Sequence, residues 1–165
     1  MSRQIERIAP TTVLDIGPGS GVYGRIVRDV APSARLVGVE AWAPYVDEFG
    51  LRDVYDEIIV DDARELSNWN YDLVIFGDVL EHMSEADASL LWEKAASARC
   101  RVLMSIPIIH YPQCAEHGNP FEVHVVDDWS HERVLDTFSG IVDYECYAVT
   151  GAYLADFTAG FTVED

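Results

Sequence analysis

The chain has 165 residues, of which 11 are basic and 29 acidic, so its formal net charge at pH 7 is −18. Hydrophobic residues make up 49% of it, which is the composition of a globular domain with a buried core. The negative charge opposes binding to nucleic acid or to an anionic membrane surface, so we expect neither as a partner.

The chain shows no targeting or anchoring pattern. Its apolar runs are too short for a membrane span, and residues 1–7 lack the apolar core of a signal peptide. The three cysteines have no C-x-x-C spacing, which is typical of free thiols in a reducing compartment. We therefore expect a single cytoplasmic domain over residues 1–165.

Apolar runs alternate with helical patterns along the chain, which predicts an α/β fold of parallel strands joined by crossover helices. The predicted strands of this part cover residues 12–16, 35–40, 57–61, 71–76 and 101–106. The predicted helices cover residues 22–30, 42–49, 86–98 and 130–138. A long polar loop is expected over 107–128, and two final strands over 141–149 and 152–162 are expected to pair around Thr150-Gly151 as an antiparallel hairpin.

Three glycines, Gly17, Gly19 and Gly21, follow the first predicted strand. Glycine allows a sharp turn from strand to helix, and it lets a ligand approach the main-chain N–H groups. Glu40 ends the second predicted strand, roughly twenty residues after this turn, where a carboxylate can accept hydrogen bonds from both hydroxyls of a ribose. The pattern predicts a nucleoside-binding site.

The glycine turn is compatible with two kinds of cofactor. The segment from Gly19 to Gly24 also matches G-x-G-x-x-G, which together with Glu40 is typical of NAD sites. Asp15, at the end of the first strand, would repel a pyrophosphate but can hydrogen-bond an ammonium group. The turn therefore favours a cofactor with an amino-acid end, and an NAD-dependent enzyme is the minor alternative.

The segment Val13–Gly21, VLDIGPGSG, resembles the first motif of the class I S-adenosylmethionine-dependent methyltransferases. Glu40 matches their ribose-binding acid, and Asp62-Ala63 matches the pair that flanks the adenine. Residues 77–83, GDVLEHM, are similar to the D-V-L-E-H stretch of members that act on small molecules. The resemblance implies a Rossmann-like, doubly wound, seven-stranded sheet of order 3-2-1-4-5-7-6 with one antiparallel strand.

The resemblance implies S-adenosylmethionine as cofactor and methyl transfer to an oxygen or nitrogen atom of a small-molecule acceptor. The alternative is a non-catalytic subunit or regulatory module that binds S-adenosylmethionine. We assign cofactor binding to nine residues, namely Asp15, Gly17, Gly19, Gly21, Glu40, Asp62, Ala63, Asp78 and Leu80.

Four histidines, at 110, 117, 124 and 131, are spaced seven residues apart, which is a spacing that invites a metal-binding interpretation. A heptad needs a continuous helix to align it, and Pro112, Gly118 and Pro120 interrupt this segment. We therefore expect no metal site.

Acceptor chemistry is predicted in two places. Imidazole titrates near neutrality, so His124 and, after it, His110 are the predicted general bases. The segment Asn119–His124 is similar to the N-P-[FY]-E-x-H stretch of related methyltransferases. Glu81 and His82 follow the fourth predicted strand and are expected at the acceptor site.

Residues 1–11 precede the first predicted strand, whereas methyltransferases of this family usually carry an N-terminal helical cap that forms the acceptor pocket. We therefore expect a minimal cap. Either the 107–128 loop or a partner chain, such as a second copy in a homodimer, is expected to complete the acceptor site.

Overall fold

The computed structural model describes residues 1–159, and these residues form one seven-stranded sheet. The strands are β1 (Thr12–Ile16), β2 (Arg35–Glu40), β3 (Glu57–Val60), β4 (Leu73–Gly77), β5 (Arg101–Pro107), β6 (Ile141–Cys146) and β7 (Thr150–Asp156). Their order is β3-β2-β1-β4-β5-β7-β6. Strands β1 to β5 are parallel, and β7 runs antiparallel to both β5 and β6. The implied order and the antiparallel strand are confirmed.

Five α-helices accompany the described sheet: α1 (Ser2–Ile8), α2 (Val22–Val30), α3 (Pro44–Glu48), α4 (Glu85–Ser97) and α5 (His131–Thr137). Short 3-10 helices cover Leu51–Asp53, Ala63–Glu65, Leu80–His82 and Pro120–Glu122. Within residues 1–159, no helix has both the length and the apolar character that crossing a membrane requires.

Hydrophobic side chains cover both faces of the sheet because neighbouring residues of a strand point to opposite faces. In β4, Val74 and Phe76 belong to a cluster that includes Trp92 of α4, whereas Leu73 and Ile75 belong to a second cluster with residues of α1 and α2. The sheet is therefore the middle of three layers, as expected for a doubly wound fold.

Two helix starts have side-chain caps. The Ser84 hydroxyl accepts a hydrogen bond from the N–H of Asp87 at the start of α4, and Ser130 accepts one from Arg133 at the start of α5. A side-chain oxygen at this position satisfies one of the free N–H groups of the first turn, so each serine stabilises the start of its helix.

The prediction was wrong at both ends of the chain. Helix α1 was not predicted, although its Ile5 is fully buried. The hairpin turn was placed at Thr150-Gly151, but both residues belong to β7, and Tyr147 donates its N–H to the carbonyl of Thr150 across the actual turn. The predicted last strand extends to residue 162, and its residues 160–162 lie outside the described residues.

The parallel register brings the turns after several strands to one edge of the sheet. Ile16, the last residue of β1, is paired with Val39 of β2 on one side and with Phe76 of β4 on the other. The glycine turn, Glu40 and Asp78 therefore lie together at the carboxyl edge, where open α/β sheets bind ligands.

Candidate functional site

A cavity of about 480 Å³ opens at the carboxyl edge of the sheet. This volume is within the range of small-molecule sites. Its wall is built from the turns after β1, β2, β3 and β4 and from the loop between β5 and α5. The lining includes six of the nine residues assigned to the cofactor, namely Gly17, Gly19, Glu40, Asp62, Ala63 and Asp78.

The glycine turn needs glycine for two separate reasons. Gly17, Gly19 and Gly21 have φ angles of 63°, 52° and 77°, in the left-handed region that residues with a Cβ rarely adopt. In addition, a Cβ on Gly17 would lie 2.6 Å from Cγ2 of Val79. The turn therefore keeps its backbone close to the loop after β4.

Glu40 ties the glycine turn to the segment after β2. Its Oε2 accepts a hydrogen bond from the N–H of Gly19 over 3.1 Å, and its Oε1 accepts one from Trp42 over 2.8 Å. Glu40 is buried, and burial raises the pKa of its carboxyl group. Each carboxylate oxygen has a further lone pair, so the side chain can still accept hydroxyl hydrogen bonds from a ligand.

Asp15, Gly21 and Leu80 lie outside the cavity lining, so their assignment to the cofactor stays a prediction. Asp15 is 1% exposed and accepts a hydrogen bond from the Tyr55 hydroxyl at Oδ2 over 2.5 Å. Its Oδ1 is buried and has no hydrogen-bond partner among residues 1–159. Burial raises the pKa of this carboxyl group to about 7. Leu80 is fully buried in the core.

Asp62 is held by Arg64, which was not assigned to the site and also lines the cavity. Oδ1 of Asp62 accepts the backbone N–H of Arg64 over 2.9 Å, and the guanidinium group lies 2.6 Å from Oδ2. The hydrogen bond from Arg64 lowers the pKa of Asp62, so its carboxylate stays ionised. The same guanidinium also binds Asp87 of α4, which fixes the turn after β3 against that helix.

Acidic side chains dominate the charge of the cavity. Six carboxylate residues line it against a lone arginine, Arg64, in the part of the chain that the structure describes. The six are Glu40, Asp61, Asp62, Asp78, Glu116 and Glu122. This potential attracts a cationic ligand and opposes a pyrophosphate, so the cavity suits a sulfonium and ammonium compound better than NAD.

Asp78 occupies the position directly after β4. Its φ of 55° is left-handed, which aspartate tolerates better than most residues. The Tyr23 hydroxyl donates to its Oδ2 over 3.0 Å and lies 2.6 Å from the hydroxyl of Ser105. This network orients the Asp78 carboxylate beside the cavity.

The loop after β5 supplies one wall of the cavity. Residues Glu116, His117, Asn119, Phe121 and Glu122 of this loop line the cavity. The buried Asn119 caps the short helix over Pro120–Glu122 by accepting the N–H of Phe121. Glu122 was not assigned to the site. It nevertheless belongs to the segment Asn119–His124, which is similar to a motif of related methyltransferases.

The four predicted acceptor residues divide into a group of three and an isolated one. His82 lines the cavity, Glu81 is buried beside it, and the rings of His82 and His124 lie 4.8 Å apart between centroids. His110 is largely exposed outside the lining, with its Nδ1 3.7 Å from Oδ1 of Asp127. The structure therefore brings Glu81, His82 and His124 together and leaves His110 apart.

No protein-family model and no curated protein sequence matches the chain. Solved structures do match, among them a candidate O-methyltransferase from Nostoc punctiforme, with 20% identity and a TM-score of 0.67 over 93% of this chain and 54% of that one. An O-methyltransferase family 2 protein from Planctomyces limnophilus, solved with apigenin, has 20% identity and a TM-score of 0.63 over 88% of this chain and 50% of that one.

A third match is human N-acetylserotonin methyltransferase, solved with S-adenosylmethionine, with 15% identity and a TM-score of 0.65 over 94% of this chain and 51% of that one. The chain spans about half the length of these three structures. At these identities the likeness concerns the fold, and it shows that this chain has the Rossmann-like fold of S-adenosylmethionine-dependent methyltransferases.

Proposed function

We propose that the chain is an S-adenosylmethionine-dependent methyltransferase that acts on an oxygen or nitrogen atom of a small molecule. One observation carries the proposal: a left-handed glycine turn, a buried glutamate at the end of β2 and a ring of carboxylates share one cavity. The fold that the chain shares with solved methyltransferases supports it.

Different residues around the cavity would bind different parts of the cofactor. Glu40 would accept the hydroxyls of the ribose, and the turn from Gly17 to Gly19 would lie against the amino-acid end. Ala63 would pack against the adenine, and the carboxylate of Asp78 would face the positive charge. When bound, S-adenosylmethionine supplies a methyl group on a sulfonium, which is already a good leaving group.

The protein's main task is then alignment. Holding donor and acceptor in line can lower a barrier by about 7–11 kcal/mol without any other catalytic group. A base is needed only where the acceptor must lose a proton. The walls formed by His117, Phe121 and Glu122 would hold the acceptor and exclude water from it.

His124 is the better placed of the two predicted bases. Its Nδ1 lies 2.6 Å from the carbonyl oxygen of Tyr111, and a carbonyl can only accept, so Nδ1 carries the proton. Nε2 is then left with a free lone pair that can take a proton from an acceptor. His124 and His110 both lie outside the cavity lining, but the His124 ring lies 4.8 Å from the ring of His82, which lines the cavity, whereas His110 is largely exposed.

Calorimetric titration with S-adenosylmethionine and with S-adenosylhomocysteine tests the proposal. The wild type is expected to bind both, and Gly19→Arg is expected to abolish binding because the new side chain would occupy the cavity. Gly50→Arg is the matched control, since Gly50 also has a left-handed φ, of 60°, and lies outside the cavity lining. A Cβ there would meet only Oδ2 of Asp53, at an ordinary contact distance of 3.6 Å.

Lack of binding at millimolar cofactor would contradict the proposal, and so would equal losses in the two glycine variants. A screen of hydroxyl and amine acceptors then tests methyl transfer. Cofactor binding without transfer to any acceptor would favour the alternative, a non-catalytic module that binds S-adenosylmethionine.

A further inference from the structure

Glu81, His82 and His124 form a cluster whose chemistry the cofactor site does not use. One potential ligand atom from each of the three side chains lies within 4.8 Å of the others. Oε2 of Glu81 is buried and accepts no hydrogen bond from any described residue. A buried carboxylate oxygen without a partner is costly, so this carboxylate calls for a cation or a hydrogen-bond donor.

Both imidazole rings of the cluster are oriented by backbone carbonyls. Nδ1 of His124 donates to the carbonyl oxygen of Tyr111 over 2.6 Å, and Nδ1 of His82 lies 3.3 Å from the carbonyl oxygen of Val123. Carbonyls only accept, so the two rings carry their protons on Nδ1 and leave Nε2 unprotonated. A backbone carbonyl behind a histidine is the usual support of a metal-binding imidazole.

The surroundings of the cluster are acidic. Asp78 and Glu122 are the charged neighbours that act on both Glu81 and His82. A divalent cation bound there would offset the repulsion among these carboxylates.

From this geometry we infer that Glu81, His82 and His124 form a binding site for one divalent transition-metal ion. Two imidazoles with one carboxylate suit zinc, iron or nickel, and a set of three protein ligands leaves coordination positions open. Bonds of about 2.0–2.2 Å hold ligand atoms roughly 3–3.6 Å apart, so the three side chains need to close by up to about 1–2 Å. The inference departs from the expectation of no metal, which rested on the heptad histidines alone.

The open positions of the ion would face the cavity, because His82 lines it. Oxygen atoms of a methyl acceptor could complete the coordination there, a step that rests on the proposed function. The acceptor would then be held by the metal, and the Nε2 atom of His124 would serve as a ligand instead of a base.

Cobalt(II) titration of the chelator-treated chain, followed by visible absorption and calorimetry, tests the site without any cofactor. The wild type is expected to bind one Co²⁺ per chain. His82→Ala and His124→Ala are each expected to weaken Co²⁺ binding by about 100-fold or more. Even the loss of a group that only hydrogen-bonds to a metal ligand lowers metal affinity by about 10–100-fold. The matched control is His110→Ala, which removes a histidine of the same loop outside the cluster and should leave the affinity unchanged.

Circular dichroism shows whether each variant is folded. If an alanine variant does not fold, Glu81→Gln, which keeps the size of the side chain, tests the metal site in its place. A wild type without saturable binding at millimolar Co²⁺ would overturn the inference, as would equal affinities in wild type, Glu81→Gln and His124→Ala. Metal binding without S-adenosylmethionine binding would contradict only the proposed function, and the reverse result would contradict only the metal site.

Discussion

The backbone N–H of Val125 donates a hydrogen bond to the carbonyl oxygen of Glu81, over a donor–acceptor distance of 2.9 Å. Val126 donates to the same oxygen over 3.1 Å. The two bonds fasten the loop after β5 to the turn after β4. Because His124 precedes Val125 and His82 follows Glu81, they also bring the two imidazole rings into contact.

This attachment explains how a loop with no regular structure beyond one short 3-10 helix can form a defined wall. Further hydrogen bonds connect residues within the loop. Gln113 donates its side-chain amide to the carbonyl oxygen of Glu122, and His124 donates its backbone N–H to the carbonyl oxygen of Gln113. The buried Asn119 lies at the centre of this segment.

Asn119→Ala should lower the free energy of unfolding by about 1–2 kcal/mol, the usual cost of losing a cap and a buried hydrogen bond. The Asn119 side chain accepts the N–H of Phe121 over 2.9 Å, and alanine would leave that donor unpaired. Urea denaturation measures the loss. If the loop holds the acceptor wall in place, the affinity for cavity ligands should fall as well.

The control for this variant is Asn68→Ala. Asn68 makes the same kind of bond, to the N–H of Asn70 over 3.1 Å, but it is exposed. Its replacement should change the unfolding free energy by less than about 0.5 kcal/mol. Equal effects of the two alanine substitutions would show that the loop is not stabilised through Asn119.

Asp15→Asn should change how stability depends on pH. Burial raises the pKa of Asp15 in the folded chain to about 7, whereas the unfolded value is near 3.8. The folded state therefore holds this proton more tightly, and the contribution of Asp15 to stability is lost as the pH rises from about 4 to about 7. The shift corresponds to about 4 kcal/mol at most.

Urea unfolding of both proteins between pH 5 and pH 8 measures this difference. The wild type should lose stability relative to Asp15→Asn up to about pH 7, and the difference should then level off. The Tyr55 hydroxyl can donate to asparagine as it does to aspartate, so any change in that bond is independent of pH. Parallel profiles across the whole range would refute the prediction.

Much of the fold follows from local patterns in the sequence. The β-branched runs of β2 and β4 and the glycine turn each act within a few residues, so composition and spacing were enough to place them. The turn of the last hairpin was misplaced because Tyr147, Val149 and Thr150 all suit strands, and only the pairing with β5 decides which of them belongs to β7.

The candidate site was only partly predictable for a different reason. The residues assigned to the cofactor that line the cavity follow strand ends, where the topology determines their position. Glu81 and His124 lie close together because of backbone hydrogen bonds between segments far apart in the chain, and no sequence pattern predicts those bonds. For the same reason the heptad spacing of the histidines was uninformative, and it did not group His124 with His82.

Asp78→Asn should narrow the preference for S-adenosylmethionine over S-adenosylhomocysteine, a prediction that rests on the proposed function. The two ligands differ by the sulfonium charge and its methyl group, and Asp78 lines the cavity. Asparagine is similar in size and tolerates the left-handed φ of 55° at this position. Loss of one charge near the sulfur is worth roughly 1 kcal/mol, or about fivefold in the ratio of the two affinities.

Calorimetry with both ligands gives this ratio for wild type, for Asp78→Asn and for the control Asp47→Asn. Asp47 is an exposed acid of α3 outside the cavity lining, so its replacement makes the same change in net charge at a distance. Identical ratios in wild type and Asp78→Asn would show that this carboxylate does not distinguish donor from product.

Gly24→Ala should destabilise the chain, although alanine is the better helix former by about 1 kcal/mol. Gly24 lies within α2, and a Cβ there would lie 2.3 Å from the hydroxyl oxygen of Tyr55. Tyr55 is buried and bound to Asp15, so it cannot move away without breaking that bond. Overpacking of this kind costs about 1–3 kcal/mol, which exceeds the gain in helix propensity.

The sign of the change separates the two effects in urea denaturation. The exposed Ser97 of α4 provides the comparison, because Ser97→Ala alters helix propensity without a steric conflict and should be neutral or slightly stabilising. A Gly24→Ala protein as stable as the wild type, or more so, would mean that Tyr55 can shift, and the hydrogen bond that orients Asp15 would then be less rigid than its 2.5 Å length indicates.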